Sequence, residues 1–240
     1  MYEFAHAQRW LAKLFFLFSA LLLLGCISSG GSDSMKNQLS KSEIRFVPIG
    51  DSYTIGEGIS PNESWPVLLA SDLKANGLNI SLVVNPARTG FTTRDAIEFE
   101  LPVLKKEKPD ISALMIGVND YFQGVSESSF RANLVFLMDE MQKVVGKKML
   151  VVNIPDYSVT PTGASFASGR EVSAGIMQFN AIIEEEASKR GLKVVDVYSL
   201  SLEMGGDSTL VAADGLHPSG KEHALWEKKI LPVALKVLGK

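Results

Sequence analysis

Phe46-Val47-Pro48-Ile49-Gly50-Asp51-Ser52-Tyr53 is an apolar run that stops abruptly at a glycine, an acid and a serine. Apolar residues in such a run bury a strand, and Gly-Asp-Ser directly after them sets a hydroxyl on the loop leaving that strand's carboxyl end. That edge is where open α/β sheets bind their ligands. Ser52 is therefore a candidate nucleophile. A serine hydroxyl is a weak nucleophile at neutral pH, so it needs a base, normally histidine, and a group that orients the base. It also needs donors for the oxyanion that develops on the substrate.

Outward from this stretch, strand and helix signals alternate. Ile44 to Ile49 reads as a first strand buried on both faces, with Pro48 marking its end. Ser60-Pro61-Asn62-Glu63 opens a helix with a capping box, and Asn76-Gly77 closes it. A second strand is expected at Ile80 to Val84, and Thr93 caps a helix that must end before Pro109. Further strands are expected at Ile111 to Ile116, Met149 to Ile154 and Leu192 to Val197, with helices over Ser128 to Val145, Glu171 to Arg190 and from Ser219 onward. Pro155 to Gly169 reads as a fifteen-residue loop, long enough to suggest a function. The pattern predicts an α/β fold, a three-layer α/β/α, flavodoxin-like arrangement whose five-stranded parallel sheet has the order 2-1-3-4-5.

The 240-residue chain is 46% hydrophobic and 21% charged, ordinary for a globular protein, and nothing in it suggests a second folded domain. Its net charge of −3, with both signs interspersed, argues against a nucleic-acid partner. Arg9 and Lys13 precede an apolar run of eleven residues, Leu14 to Leu24, broken only by Ser19 and followed by Gly25-Cys26. The run is too short for an ordinary membrane-spanning helix and reads as a secretory signal. Leu23-Leu24-Gly25-Cys26 resembles a lipobox, which implies cleavage before Cys26 and lipid modification of that residue. Residues 1–25 are thus expected to be a signal peptide, 26–42 a Ser/Gly-rich tether and 43–240 the folded domain, exported and held by its lipid on the outer face of a prokaryotic membrane. The single cysteine, Cys26, excludes an intrachain disulfide and a cysteine-based metal cluster.

Only two histidines, His217 and His223, lie outside the signal segment. His223 falls within the last helix among Lys221, Glu222 and Glu227, where a solvated surface position is expected. His217 lies in a loop three residues after Asp214, and an Asp-x-x-His turn can bring the carboxylate to the imidazole N–H, fixing the tautomer. Taken alone, the same four residues also suit a turn in which Asp214 is a cap and His217 packs on the surface. The strand ends change the balance. Ser52, Gly90, Asn119 and His217 follow four different strands, and in a parallel sheet all these ends share one edge.

Gly50-Asp51-Ser52-Tyr53, Gly90-Phe91-Thr92-Thr93, Gly117-Val118-Asn119-Asp120 and Asp214-Gly215-Leu216-His217 resemble, in order, the four blocks of the SGNH, or GDSL-type, hydrolases. The resemblance implies that Ser52 attacks an ester carbonyl. It implies an oxyanion hole made by Ser52 N–H, Gly90 N–H and the Asn119 side chain, with His217 as base and Asp214 as its orienter. No cofactor is expected, and the lack of clustered histidines and acids argues against metal-dependent hydrolysis. Tyr53 departs from the leucine common in the family's name. Small or short-chain acyl esters, including carbohydrate esters, are the expected substrates, because the compact domain has no large insertion to form a lid. A carbohydrate O-deacetylase or an acyltransferase would use the same residues, and a noncatalytic surface lipoprotein is the reading from a different class. Asp51 is expected to make a buried structural hydrogen bond, Asp120 to brace its turn, and Glu57, Arg88 and Arg94 to lie on the surface.

Overall fold

A computed structural model describes residues 42–167 and 169–240. The signal segment, Cys26 and nearly all of the tether lie outside the described residues.

Five parallel strands form one sheet in the order β2-β1-β3-β4-β5: β1 (Ile44–Gly50), β2 (Ile80–Leu82), β3 (Ile111–Met115), β4 (Met149–Val152) and β5 (Val194–Val195). This is the expected three-layer topology. The helices are α1 (Ser52–Ile55), α2 (Trp65–Ala75), α3 (Thr93–Asp95), α4 (Leu101–Glu107), α5 (Val118–Phe122), α6 (Glu127–Val145), α7 (Pro161–Ala167), α8 (Val172–Lys189), α9 (Tyr198–Ser201) and α10 (Gly220–Val237). β3 and β4 are buried along their whole length, as strands covered on both faces must be. Phe46, Val47 and Ile49 of β1 pack in one continuous core with Trp65, Leu69 and Leu73 of α2, Phe130, Leu134 and Met138 of α6, and Trp226 and Ile230 of α10.

Pro48 lies inside β1, opposite Ala113, and does not end the strand. The hydrogen bonds of the neighbouring residues explain why it is tolerated. Ile44 N–H and Phe46 C=O bond toward the β2 side, so Pro48, of the same parity, turns its missing donor that way too. There β2 has already ended at Leu82, the partner of Phe46, and no ladder bond is lost. Two positions further on, Gly50 N–H meets the same gap and donates instead to Glu100 Oε2 at 2.9 Å. Glu100 reaches it from a π-helical turn, Ala96–Glu100, between α3 and α4. Gly50 itself has no room for a side chain: a Cβ would lie 2.1 Å from Thr54 Oγ1 and 2.6 Å from Met115 O.

Several boundaries differ from the sequence reading. Ser60 forms its capping box on a 3-10 turn, Pro61–Glu63, and the chain extends again at Ser64 before α2 begins. The cap of α3 is Thr92, closed by Asp95, rather than Thr93. Pro155 to Gly169 is not structureless, since it contains a 3-10 turn at Tyr157–Val159 and all of α7. Lys108, before Pro109, adopts a left-handed φ of 47° to end α4.

His223 corrects an expectation. It is fully buried, with its Nδ1 accepting from Trp65 N–H at 3.2 Å between α10 and α2. Burial pushes its pKa down to about 3, so the ring is neutral and unsuited to a surface role. Its helical neighbours Glu222 and Glu227 are also buried, Glu222 accepting from Trp226 Nε1–H at 2.6 Å and Glu227 lying near Asp72 of α2.

Candidate active site

Ser52 is the first residue of α1, four per cent exposed, at the carboxyl end of β1. Asp51 caps that helix, its Oδ1 accepting Tyr53 N–H at 3.0 Å. The hydrogen bond is buried, as expected, but it braces the α1 turn rather than tying it to the sheet. Burial, with a contribution from the nearby Asp120 carboxylate, raises the Asp51 pKa to about 8. The shift favours the uncharged form of Asp51 at neutral pH.

The short helix α5, directly after β3, gathers the second and third sequence blocks. Asn119 Nδ2 donates to Phe91 O at 2.9 Å and lies 3.4 Å from Asp51 Oδ2. Gln123 Nε2 donates to Gly90 O at 3.3 Å, while Asp120 accepts both the N–H and the hydroxyl of Thr93, at 2.8 and 2.5 Å. Asp120 therefore braces the neighbouring loop more than its own turn. Gly90 has φ 84°, a conformation that disfavours side chains, and a Cβ there would meet nothing within 4 Å. The glycine is needed for the backbone shape and not for lack of space.

Asp214 and His217 meet in one turn. Asp214 Oδ1 accepts the N–H groups of Leu216 and His217 at 2.9 and 3.0 Å, and Oδ2 lies 2.6 Å from His217 Nδ1. Partial burial opposes ionisation of Asp214, yet these hydrogen bonds hold its carboxyl below the usual range. The carboxylate is charged at neutral pH and fixes the proton of the imidazole on Nδ1, which leaves Nε2 as an acceptor. An antiparallel bridge between Val211 and Pro218 closes the loop behind it.

Ser52, Asn119 and His217 line a single cavity of about 290 Å³ with Tyr53, Val118, Phe122, Tyr157, Phe166 and Leu216. Gly90 is not among the lining residues; its carbonyl is tied to the end of α5 through Gln123. Three of the lining residues, Phe122, Tyr157 and Phe166, lie outside the sequence blocks. The Tyr53 ring lies 5.5 Å from that of His217 and tilted 58° to it, so the residue after the serine does shape the site. Phe122 meets Tyr157 and Phe166 edge to face, with ring centroids 5.9 Å apart in both pairs. Phe122 was findable as an apolar residue in the polar turn after Asn119, while Tyr157 and Phe166 were hidden in a loop of unknown path. Glu57 and Arg94 are exposed, as expected. Among the described residues, no group of three or more His, Cys, Asp or Glu side chains is placed to hold a metal.

This sheet, with a serine, an asparagine and an Asp-His turn at one edge, defines an α/β hydrolytic scaffold of the GDSL kind. Residues 49–225 match the model of the GDSL-like Lipase/Acylhydrolase family, and the chain belongs to that family. It is 26% identical over 203 residues to Esterase TesA of Pseudomonas aeruginosa, covering 83% of this chain and 90% of that one. A crystal structure of TesA superposes with a TM-score of 0.67 at 22% identity, over 80% of this chain and 99% of the other. A lipase/acylhydrolase from Enterococcus faecalis gives 0.65 at 25% identity, over 79% and 94%.

Proposed function

We propose that this GDSL-type hydrolase is a serine esterase that cleaves carboxylic esters of short acyl chain through an acyl-enzyme on Ser52. His217 Nε2 takes the Ser52 proton as the hydroxyl attacks the carbonyl carbon, and Asp214 stabilises the imidazolium that results. The negative charge on the substrate oxygen is met by Ser52 N–H, Gly90 N–H and Asn119 Nδ2. The first of these lies in the opening turn of α1, where no intrahelical acceptor exists. The bond to Phe91 O fixes the Asn119 amide, and its longer contact with Asp51 is weak enough to yield to an oxyanion. Removing one such donor typically costs about 3 kcal/mol of transition-state stabilisation. His217 then protonates the leaving alkoxide, and water repeats the attack to release the acid.

The observation that carries this reading is the 2.6 Å contact of Asp214 with His217 in a turn that faces the same cavity as Ser52. The cavity volume, near the lower end of the roughly 300–1,000 Å³ range of ligand pockets, favours short acyl groups. Its lining of Tyr53, Val118, Phe122, Tyr157, Phe166 and Leu216 suits an apolar group better than a sugar, which needs hydroxyl partners. Purified protein assayed with p-nitrophenyl esters of increasing chain length tests it. Highest kcat/KM at two to four acyl carbons, lost in Ser52→Ala, is expected; a maximum at long chains refutes the short-chain reading, and full activity in Ser52→Ala refutes the nucleophile. We further propose that Cys26 is lipidated, on the strength of Leu23-Leu24-Gly25-Cys26. Labelled palmitate should enter the wild-type chain in cells and not Cys26→Ala, and equal labelling of both would exclude it.

A further inference from the structure

The segment that walls the cavity between β4 and α8 is pinned at two points, and one pin lies on the catalytic turn. Thr162, in the first turn of α7, donates its N–H to Gly215 O at 2.9 Å and its hydroxyl to Asp214 O at 3.0 Å. At the other end Arg170 lies 5.8 Å over the ring of Tyr121 and 5.9 Å over that of Phe122, and donates to Phe166 O at 3.4 Å. Phe166 lies between these pins and Tyr157 just before them, and both form part of the cavity wall.

The turn that carries the base needs such support. The Asp214 side chain is 36% exposed, so packing alone does not immobilise it. Its backbone is held from within the loop by Ala212 N–H to His217 O and Gly215 N–H to Ala212 O, at 2.7 and 3.0 Å. Thr162 supplies the hold from outside. Gly215, with φ 72°, admits that hold because a Cβ there would come within 2.7 Å of the Thr162 hydroxyl.

We propose that Thr162 is a positioning residue and that α7 is a latch joining the acyl-pocket wall to the Asp214–His217 turn. A bound acyl group pressing on Phe166 and Tyr157 steadies α7, and the two Thr162 bonds carry that order to the two successive peptides that follow Asp214 and Gly215. Turnover then depends on how well the pocket is filled, beyond the affinity that filling supplies. This rests on the assignment of His217 as the base.

Thr162→Val removes the hydroxyl bond and keeps the N–H bond, whereas Thr162→Ser keeps both. Both variants, with wild type and Ser52→Ala, are assayed with p-nitrophenyl acetate and p-nitrophenyl butyrate, and their melting temperatures are measured. Loss of one hydrogen bond predicts that kcat falls about 3- to 10-fold in Thr162→Val with KM changed less than about 2-fold. The ratio of butyrate to acetate kcat should move toward one, Thr162→Ser should restore both, and the melting temperatures should agree within a few degrees. Wild-type kcat in Thr162→Val alongside an inactive Ser52→Ala overturns the latch alone. A loss confined to KM, or one not restored by serine, overturns it too. Full activity in Ser52→Ala overturns the nucleophile and base on which it rests.

Discussion

Replacing Asp214 with asparagine tests the base at its weakest support. In the reaction, His217 becomes an imidazolium whose Nδ1 lies 2.6 Å from Asp214 Oδ2. Two unit charges about 4 Å apart near a protein surface interact by roughly 4 kcal/mol. The Asp214 side chain is 36% exposed, and solvent screening reduces that to about 2 kcal/mol, or roughly 30-fold in rate. The amide adds a second loss. Its oxygen takes over the two backbone N–H bonds from Leu216 and His217, which turns its NH₂ toward Nδ1. The imidazole must then carry its proton on Nε2, where it can no longer accept one from Ser52. An inverted tautomer costs up to about 10⁴ in kcat in related Ser-His-Asp chemistry. Asp214→Asn should therefore lower kcat by about 10² to 10⁴ with little change in KM, measured with p-nitrophenyl acetate at pH 7.5. Asp51→Asn is the control. Burial raises the Asp51 pKa to about 8, so most of the carboxyl is protonated at that pH, the amide is nearly isosteric and isoelectronic with that form, and the loss should stay below about 10-fold. A loss under 10-fold in Asp214→Asn, or a larger loss in Asp51→Asn than in Asp214→Asn, would refute the assignment.

Two further perturbations follow from the same geometry. Burial raises the pKa of Glu100 to about 8, against an ordinary glutamate in the unfolded chain, so the folded state holds the extra proton and stability falls as pH rises between about 4.5 and 8. Glu100→Gln keeps an acceptor for Gly50 N–H and should remove about 3 kcal/mol of that decline in urea melts from pH 5 to pH 8; an unchanged decline contradicts it. Phe166→Ala removes one ring of the edge-to-face cluster, worth about 0.5–1.5 kcal/mol, and opens the cavity. Acetate and butyrate esters should lose about 2- to 10-fold in kcat/KM while longer acyl chains gain, and an unaltered chain-length profile would show that α7 does not bound the acyl group.

The sheet was legible because a buried parallel strand leaves a continuous apolar run, and the helices because each carries a cap and a periodic face. β5 shows the limit. Leu192 to Val197 has the composition of a full strand, but only Val194 and Val195 pair, and past Val195 the partner strand has already ended at Val152. Pro48 misled for a related reason: whether a missing N–H matters depends on where the neighbouring strand stops. Within the site, chemistry-bearing residues stood out by type and spacing, and those that act by shape did not. Phe166 and Tyr157 reach the cavity through a tertiary path that no local pattern encodes. Thr162 resembles any threonine after a proline until its two bonds to Asp214 and Gly215 are seen. The charged neighbours of His223 suggest solvent, whereas Glu222 and Glu227 are buried with it.

The central claim is that Ser52 is the nucleophile activated by His217. The most direct measurement treats the folded protein with a fluorophosphonate and locates the adduct by peptide mass spectrometry. A single adduct on Ser52, formed at least about 100-fold more slowly in His217→Ala, is the predicted result. No adduct in protein that is folded by circular dichroism, or an adduct on another residue, would contradict it.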